Sequence, residues 1–421
     1  MSKYQPGWAS RAGADLRAAA RTLADTSADR RTAALTAMAD ALAAASKNVL
    51  AANTDDVARA QSNGTSGAML DRLRLDPQRL DGIVEGIRAV ARHPDPIGRE
   101  IMRWTRPNGL VMAQVRVPIG AIGVIFESRP NVAADAAALC VRSGNAVVLR
   151  GGSDAASSVG AIIAALRNGL REAGLPQAII TTPPDTDRAY VGDMLAGMDG
   201  ALDLVIPRGG KALVKRVQEE ARVPVLGHLD GLCHVYVDGA ANAEMAERLV
   251  VNSKMRRTGV CNAAECVLID RQAGEAMVTR LVSALQAAGC EVRGDSSVQA
   301  FAPSVTPASL QDFDTEYLDA IVSMAVVDGV EGALAHIARH GSGHTEAIIT
   351  GDETAAHTFL ARVDAGVVMH NASTGFSDGG EFGFGAEIGI ATGRIHARGP
   401  VGADQLTSWK YQVSGTGQVR T

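Results

Sequence analysis

Cys261 stands in the run Asn252-Ser-Lys-Met-Arg-Arg-Thr-Gly-Val-Cys261-Asn-Ala-Ala-Glu-Cys266, behind two arginines, a glycine and a valine. Positive charge from Arg256 and Arg257 favours a thiolate, and Gly259 lets the backbone approach whatever the sulfur attacks. A cysteine taken singly is most often a small buried hydrophobe. Cys140, Cys233, Cys266 and Cys290 fit that description, because each lies in an apolar pattern and none closely follows a pair of arginines. Cys261 does not, and it is the candidate nucleophile.

Three further constellations have the chemistry of anion sites. At Leu149-Arg150-Gly151-Gly152-Ser153-Asp154 an apolar strand pattern ends in two glycines and a helical pattern begins, so exposed N–H groups there can receive an anion beside the Arg150 charge. Ile206-Pro207-Arg208-Gly209-Gly210-Lys211 repeats the arrangement. Each could equally be an ordinary strand-to-helix turn, and neither matches a GxGxxG or Walker loop. Ile125-Phe-Glu127-Ser128-Arg129-Pro130-Asn131 sets an arginine and an amide at the carboxyl end of a strand, where open α/β sheets bind ligands; Pro130 and Ser128 could also be no more than helix-start residues.

The elements that would hold these residues follow from periodicity. Arg11 to Arg92 is Ala-rich, with Leu35, Met38, Leu42 and Val49 at helical spacing behind the cap candidates Ser27 and Asp29, which predicts a helical lead-in. Trp104 to Val117 alternates around Asn108-Gly109 and predicts a β-hairpin. Beyond Pro118, strands at Ala121–Phe126, Ala146–Leu149, Ala178–Thr181 and Asp203–Ile206 alternate with helices. The rhythm returns with strands at His234–Val237, Cys266–Ile269, Ile321–Val327 and Thr345–Thr350. Such alternation predicts the α/β class, with two parallel-sheet domains in tandem. Trp409–Val413 reads as an edge strand.

A chain of 421 residues, 46% hydrophobic, can bury two or three cores. Its net charge of -5, with both signs well mixed, predicts neither a nucleic-acid partner nor an anionic membrane surface. No apolar stretch reaches bilayer length, and five cysteines without a CxxC pair or zinc-type spacing predict reduced thiols, a cytoplasmic location and no metal.

With these residues in view, the chain resembles the γ-glutamyl phosphate reductase (glutamate-5-semialdehyde dehydrogenase) family of the aldehyde dehydrogenase superfamily. The resemblance runs from the helical lead-in to the C-terminus. Its densest segments are Pro118 to Asn131, Ser143-Gly-Asn145, Arg150-Gly-Gly152, Pro207-Arg-Gly-Gly210, Cys233-His-Val-Tyr-Val-Asp238, Arg257-Thr-Gly-Val-Cys261-Asn262 and Gly383-Phe-Gly-Ala-Glu-Ile-Gly389. It implies an NADPH-binding domain over 1–103 and 118–232, a catalytic domain over 233–364, and an oligomerisation element with substrate loop over 104–117 and 365–421. The implied reaction reduces L-glutamyl 5-phosphate to L-glutamate 5-semialdehyde with NADPH, through a Cys261 thioester, in proline biosynthesis and as a homo-oligomer. Whether a glutamate 5-kinase hands the acyl phosphate over directly stays open.

By carry-over, Arg150, Gly151 and Gly152 face the adenosine ribose and its 2′-phosphate, Pro207, Arg208, Gly209 and Gly210 lie along the dinucleotide, and Glu316 holds the nicotinamide ribose. Asn131 joins the Cys261 N–H as an oxyanion donor. Arg129, Arg256 and Arg257 are candidates for the departing phosphate, and Asp378 or Glu381 for the substrate ammonium. The superfamily's water-activating glutamate has no counterpart in Val225-Leu-Gly-His228-Leu-Asp230-Gly231, which suits a thioester that must not be hydrolysed; His228 or Asp230 could replace it. His344 reads as a satisfied strand-entry histidine. The rival readings are a coenzyme A-dependent acylating dehydrogenase and a catalytically silent binding protein on the same scaffold.

Overall fold

The helical lead-in divides where its caps direct. In this computed structural model, which describes residues 4–65 and 67–420, Ser27 caps helix Ala28–Ala44 by accepting from the Arg30 N–H. Leu35, Met38 and Leu42 are wholly buried on that helix, whereas Val49 falls on the next one, Ser46–Ser62. The first of these helices lies so close to helix Ala156–Glu172 that a Cβ on Gly169 would sit 2.5 Å from the Met38 Cα. Only a glycine allows that approach.

The chain forms two compact units. The first comprises residues 1–227, 383–389 and 401–421. Its parallel sheet runs in the order Ile180–Thr181, Ala146–Gly151, Ala121–Phe126, Leu204–Arg208. All six residues of Ala121–Phe126 are buried, as a central strand covered on both faces requires. The same unit holds an antiparallel sheet in which Val111–Pro118 lies between Glu100–Thr105 and Thr407–Ser414. The expected hairpin and C-terminal strand thus pair with one another through eight aligned residues, from Thr407↔Pro118 to Ser414↔Val111.

The second unit comprises residues 228–382 and 390–400. Its seven strands are all parallel, in the order Thr306–Pro307, Glu291–Gly294, Ile321–Val327, Ala264–Asp270, Cys233–Val237, Thr345–Ile349, Val367–His370. The segment after Ala365 is therefore divided, with Val367–His370 in this sheet and Thr407–Ser414 in the antiparallel sheet of the first unit. The short strands at Glu291, Thr306 and Val367 carry too few residues for a clear alternation and were not foreseen.

Candidate active site

In the first unit, sheet register brings the three sequence motifs level. Ile125 pairs with Arg150 and Pro207, and Phe126 with Gly151 and Arg208, so the strands end together at one edge. Arg150 is partly buried there. Its Nη2 donates to the Thr186 carbonyl at 2.9 Å, and its buried Nε has no hydrogen-bond partner. Burial lowers its pKa, opposed by Glu127, while Arg188 and Arg216 add to the lowering. Arg188 and Arg216 went unnoticed in the sequence because only folding brings them beside Arg150.

Near both glycine turns, backbone amides are engaged by the chain's own carboxylates. Ser157 N–H and Ser158 N–H, in the first turn of helix Ala156–Glu172, donate to the buried Asp56 carboxylate at 3.3 and 2.7 Å. Gly210 N–H donates to Glu127 at 3.1 Å. Both helix starts thus use the chain's own carboxylates as capping anions. At the second turn this corrects the expectation of an exposed Gly210 donor; at the first, Arg150 remains the local cation. Arg208 turns elsewhere: its side chain lies against Gly389 and its charge acts on Asp135. Asn131 donates through Nδ2 to Asp135 at 2.9 Å, one turn along helix Asn131–Arg142. Burial pushes Asp135 up to about 6, against the opposing effects of Asn131 and Arg208. Arg129 sits half-buried at the entrance to the same helix.

In the second unit, Cys261 lies on the loop between helix Ala243–Met255 and strand Ala264–Asp270. It is the one cysteine of the five that is not fully buried, and all five are free thiols. Burial raises the pKa of Cys140, Cys233 and Cys290, as befits core residues. The two ends of the loop are clamped by a wholly buried ion pair, Lys254 Nζ to Glu265 Oε2 at 2.6 Å. Burial pushes Glu265 up to about 7, with Lys254 opposing.

Two close approaches fix the loop from below. The Cys233 thiol donates to the Cys261 carbonyl at 3.2 Å, so this core cysteine also positions the Cys261 backbone. Gly231 packs directly on Cys261, where a Cβ would lie 2.6 Å from the Cys261 Cβ and 2.7 Å from its Cα. Gly231 N–H in turn donates to Glu316 Oε1 at 3.0 Å, which ties Glu316 to the foundation of the thiol loop.

The Cys261 sulfur and one ring nitrogen each of His228 and His344 all lie within 4.8 Å of one another. His228 Nδ1 contacts the Ile390 carbonyl at 2.6 Å, an acceptor that requires a proton on Nδ1. His344 is fully buried, with Nδ1 2.9 Å from Thr345 Oγ1; the Thr345 hydroxyl spends its proton on Ser377, so it accepts from His344. That leaves the lone pair of His344 on Nε2, which has no hydrogen-bond partner. The reading of His344 as satisfied is corrected: it stands at a strand entry, but that position delivers its ring to the thiol.

Arg256 and Arg257 are both exposed. Arg256 reaches the Gly375 carbonyl at 3.4 Å, and Asn262 Nδ2 donates to the Ser377 carbonyl at 3.0 Å, so the thiol loop and the loop after Asn371 are joined. Asp378 accepts from the Gly380 N–H at 2.8 Å and shapes its own turn, whereas Glu381 is exposed.

A thiol between two imidazoles on one α/β unit, and an arginine-bearing strand edge on another, suit a thiol-dependent nicotinamide oxidoreductase. Residues 5–313 match the model of the aldehyde dehydrogenase family, and the chain belongs to that family. Its relatives narrow the branch. γ-Glutamyl phosphate reductase of Rhodopseudomonas palustris is 57% identical over 97% of this chain and 95% of its own length. The enzyme of the same name from Caulobacter vibrioides is 57% identical over 97% of this chain and 99% of its own. Among solved structures, γ-glutamyl phosphate reductase of Thermotoga maritima superposes with a TM-score of 0.95 at 41% identity, covering 98% of this chain and 99% of that one. An acetylating aldehyde dehydrogenase of Geobacillus thermoglucosidasius shares the fold at a TM-score of 0.69 and 18% identity, covering 98% and 97%.

Proposed function

We infer that the chain reduces L-glutamyl 5-phosphate to L-glutamate 5-semialdehyde with NADPH and releases phosphate, a step of proline biosynthesis. The observation that carries this reading is the Cys261 sulfur set beside His228 and His344 on a loop fixed by Gly231 and Cys233. Relatives aligned end to end and bearing the reductase name favour it over a coenzyme A-dependent enzyme, since a solved propionaldehyde dehydrogenase with bound coenzyme A shares only the fold.

The chemistry follows from the groups present. With its proton held by an imidazole, the Cys261 thiolate attacks the γ-carbonyl carbon, and the C–O bond to phosphate breaks as the thioester forms. The imidazolium proton leaves with the phosphate, for which Arg256 and Arg257 are the exposed cations nearest in sequence to the thiol. When bound, NADPH would supply the hydride for the thioester carbon. Oxyanion charge at that carbon is met by the Cys261 N–H. Collapse of the thiohemiacetal frees the semialdehyde and restores the thiolate, and the imidazole recovers a proton from water.

The first unit fits the cofactor's phosphorylated ribose on one count above all: Arg150 holds an unpartnered buried Nε beside Arg188 and Arg216, a local demand for an anion. Gly151, Gly152 and Pro207 to Gly210 flank it at the strand ends, and Glu316 would hold the nicotinamide ribose. Asp378 and Glu381 supply carboxylates for the substrate ammonium. Exposed Ile101, Met102, Trp409, Tyr411 and Val413 on the antiparallel sheet support a homo-oligomer. Five free thiols suit the cytoplasm, and among the described residues no helix is long and apolar enough to cross a membrane. Glutamate 5-kinase would supply the labile acyl phosphate.

Replacing Cys261 with serine tests the reading. Cys261→Ser should keep the fold and NADPH binding and lose roughly 1000-fold or more in kcat. Near-normal turnover would exclude Cys261 as the nucleophile.

A further inference from the structure

The ligand-like geometry around Cys261 goes further than proton transfer requires. A thiolate and two imidazoles are the donor set of a soft divalent cation, with metal distances of roughly 2.3 Å to sulfur and 2.0–2.1 Å to nitrogen. Their three donor atoms already lie within 4.8 Å of one another, so a contraction of about 1 Å would bring them onto one ion. Each imidazole is also held at its Nδ1, His228 by the Ile390 carbonyl and His344 by Thr345, which leaves Nε2 for an ion, as metal-binding histidines are oriented. The fully buried His344 Nε2 has no hydrogen-bond partner. Cys261, only partly buried, gives an ion an entry path and leaves a fourth position to water.

We propose that Cys261, His228 and His344 form a binding site for Zn²⁺, and that its occupation reversibly blocks the reductase. Binding forms the S–Zn bond as the Cys261 thiol gives one proton to solvent, with no change of oxidation state. The sulfur's lone pairs are then engaged with the metal and unavailable to the acyl carbon. Zinc-type spacing is absent from the sequence because the ligands come from three separate segments, near 228, 261 and 344. The metal site itself rests on geometry alone, whereas the block rests on the reading of Cys261 as nucleophile.

A second histidine–cysteine group in the same unit must be kept apart from this one. His234, Cys266 and His336 also cluster, but in the interior against α-helix Gly329–His340, with His234 Nδ1 on Glu346 at 2.9 Å. The test is a titration of the full-length protein with Co²⁺ in thiol-free buffer, following the sulfur-to-cobalt charge-transfer band, then displacement by Zn²⁺ and removal by a chelator. The band should appear in the wild type and in Cys266→Ala, vanish in Cys261→Ser, and need about tenfold or more cobalt in His344→Asn. Circular dichroism confirms that each variant is folded. Zinc should protect Cys261 from iodoacetamide, read by peptide mass spectrometry, and inhibit turnover until chelated. No band in the wild type, a band surviving Cys261→Ser, or one lost in Cys266→Ala would overturn the site. A band with undiminished turnover at saturating zinc would leave the site standing and overturn both the block and the nucleophile's role.

Discussion

Adding one methyl group at Gly231 should disable the reaction without touching any reacting atom. The Cβ of Gly231→Ala would stand 2.6 Å from the Cys261 Cβ and 2.7 Å from its Cα, and it would also meet the Cys261 carbonyl oxygen. Ordinary contact needs about 3.4 Å, so the thiol loop or the Gly231 segment must retreat by roughly 1 Å. Because Gly231 N–H is bonded to Glu316 and the Cys261 carbonyl is held by Cys233, neither side moves without loosening a hydrogen bond. A misplacement of that size costs on the order of 100-fold in kcat, and overpacking adds about 1–3 kcal/mol of destabilisation. The assay runs the reaction in reverse, with semialdehyde, phosphate and NADP⁺, following absorbance of the reduced nicotinamide, while a thermal melt reports stability. A variant that turns over within about twofold of wild type and melts at the same temperature would refute the steric argument.

Other perturbations probe the remaining parts. Arg150→Ala should weaken NADPH about 10- to 100-fold while leaving NADH nearly unchanged, since a charged hydrogen bond is worth roughly 1.5–3 kcal/mol; equal losses in KM for both would remove Arg150 from the 2′-phosphate. Asp56→Ala strips a buried carboxylate from two amides and from the Ser158 hydroxyl, and should lower unfolding free energy in urea by about 2–4 kcal/mol without changing KM. His234 concerns pH. Burial opposes its charge, but Glu346 and Cys266 raise its pKa to about 10, well above an unfolded value near 6.5. Its stabilising contribution is therefore complete below about pH 6.5 and is lost as pH rises through about 10. The urea midpoint should fall across that window in the wild type and less steeply in Glu346→Gln; parallel slopes would dissociate the effect from this pair.

Local pattern and long-range contact divide what could be read in advance. Strands Ala121–Phe126 and Ile321–Val327, the hairpin around Asn108-Gly109 and the separation of Cys261 from four core cysteines were legible, because hydrophobic period and flanking charge are properties of neighbouring residues. Motif resemblance supplied the reaction. What the residues then touch was decided by the tertiary structure. Asp56 caps a helix 101 residues away, Arg188 and Arg216 gather at Arg150, and His344 reaches the thiol from a strand two places along the sheet. Gly231 needs to be glycine only because Cys261 folds onto it. A chain pattern records which face a side chain presents, but the distance between two such faces is set by packing, and the chemistry of this site depends on that distance.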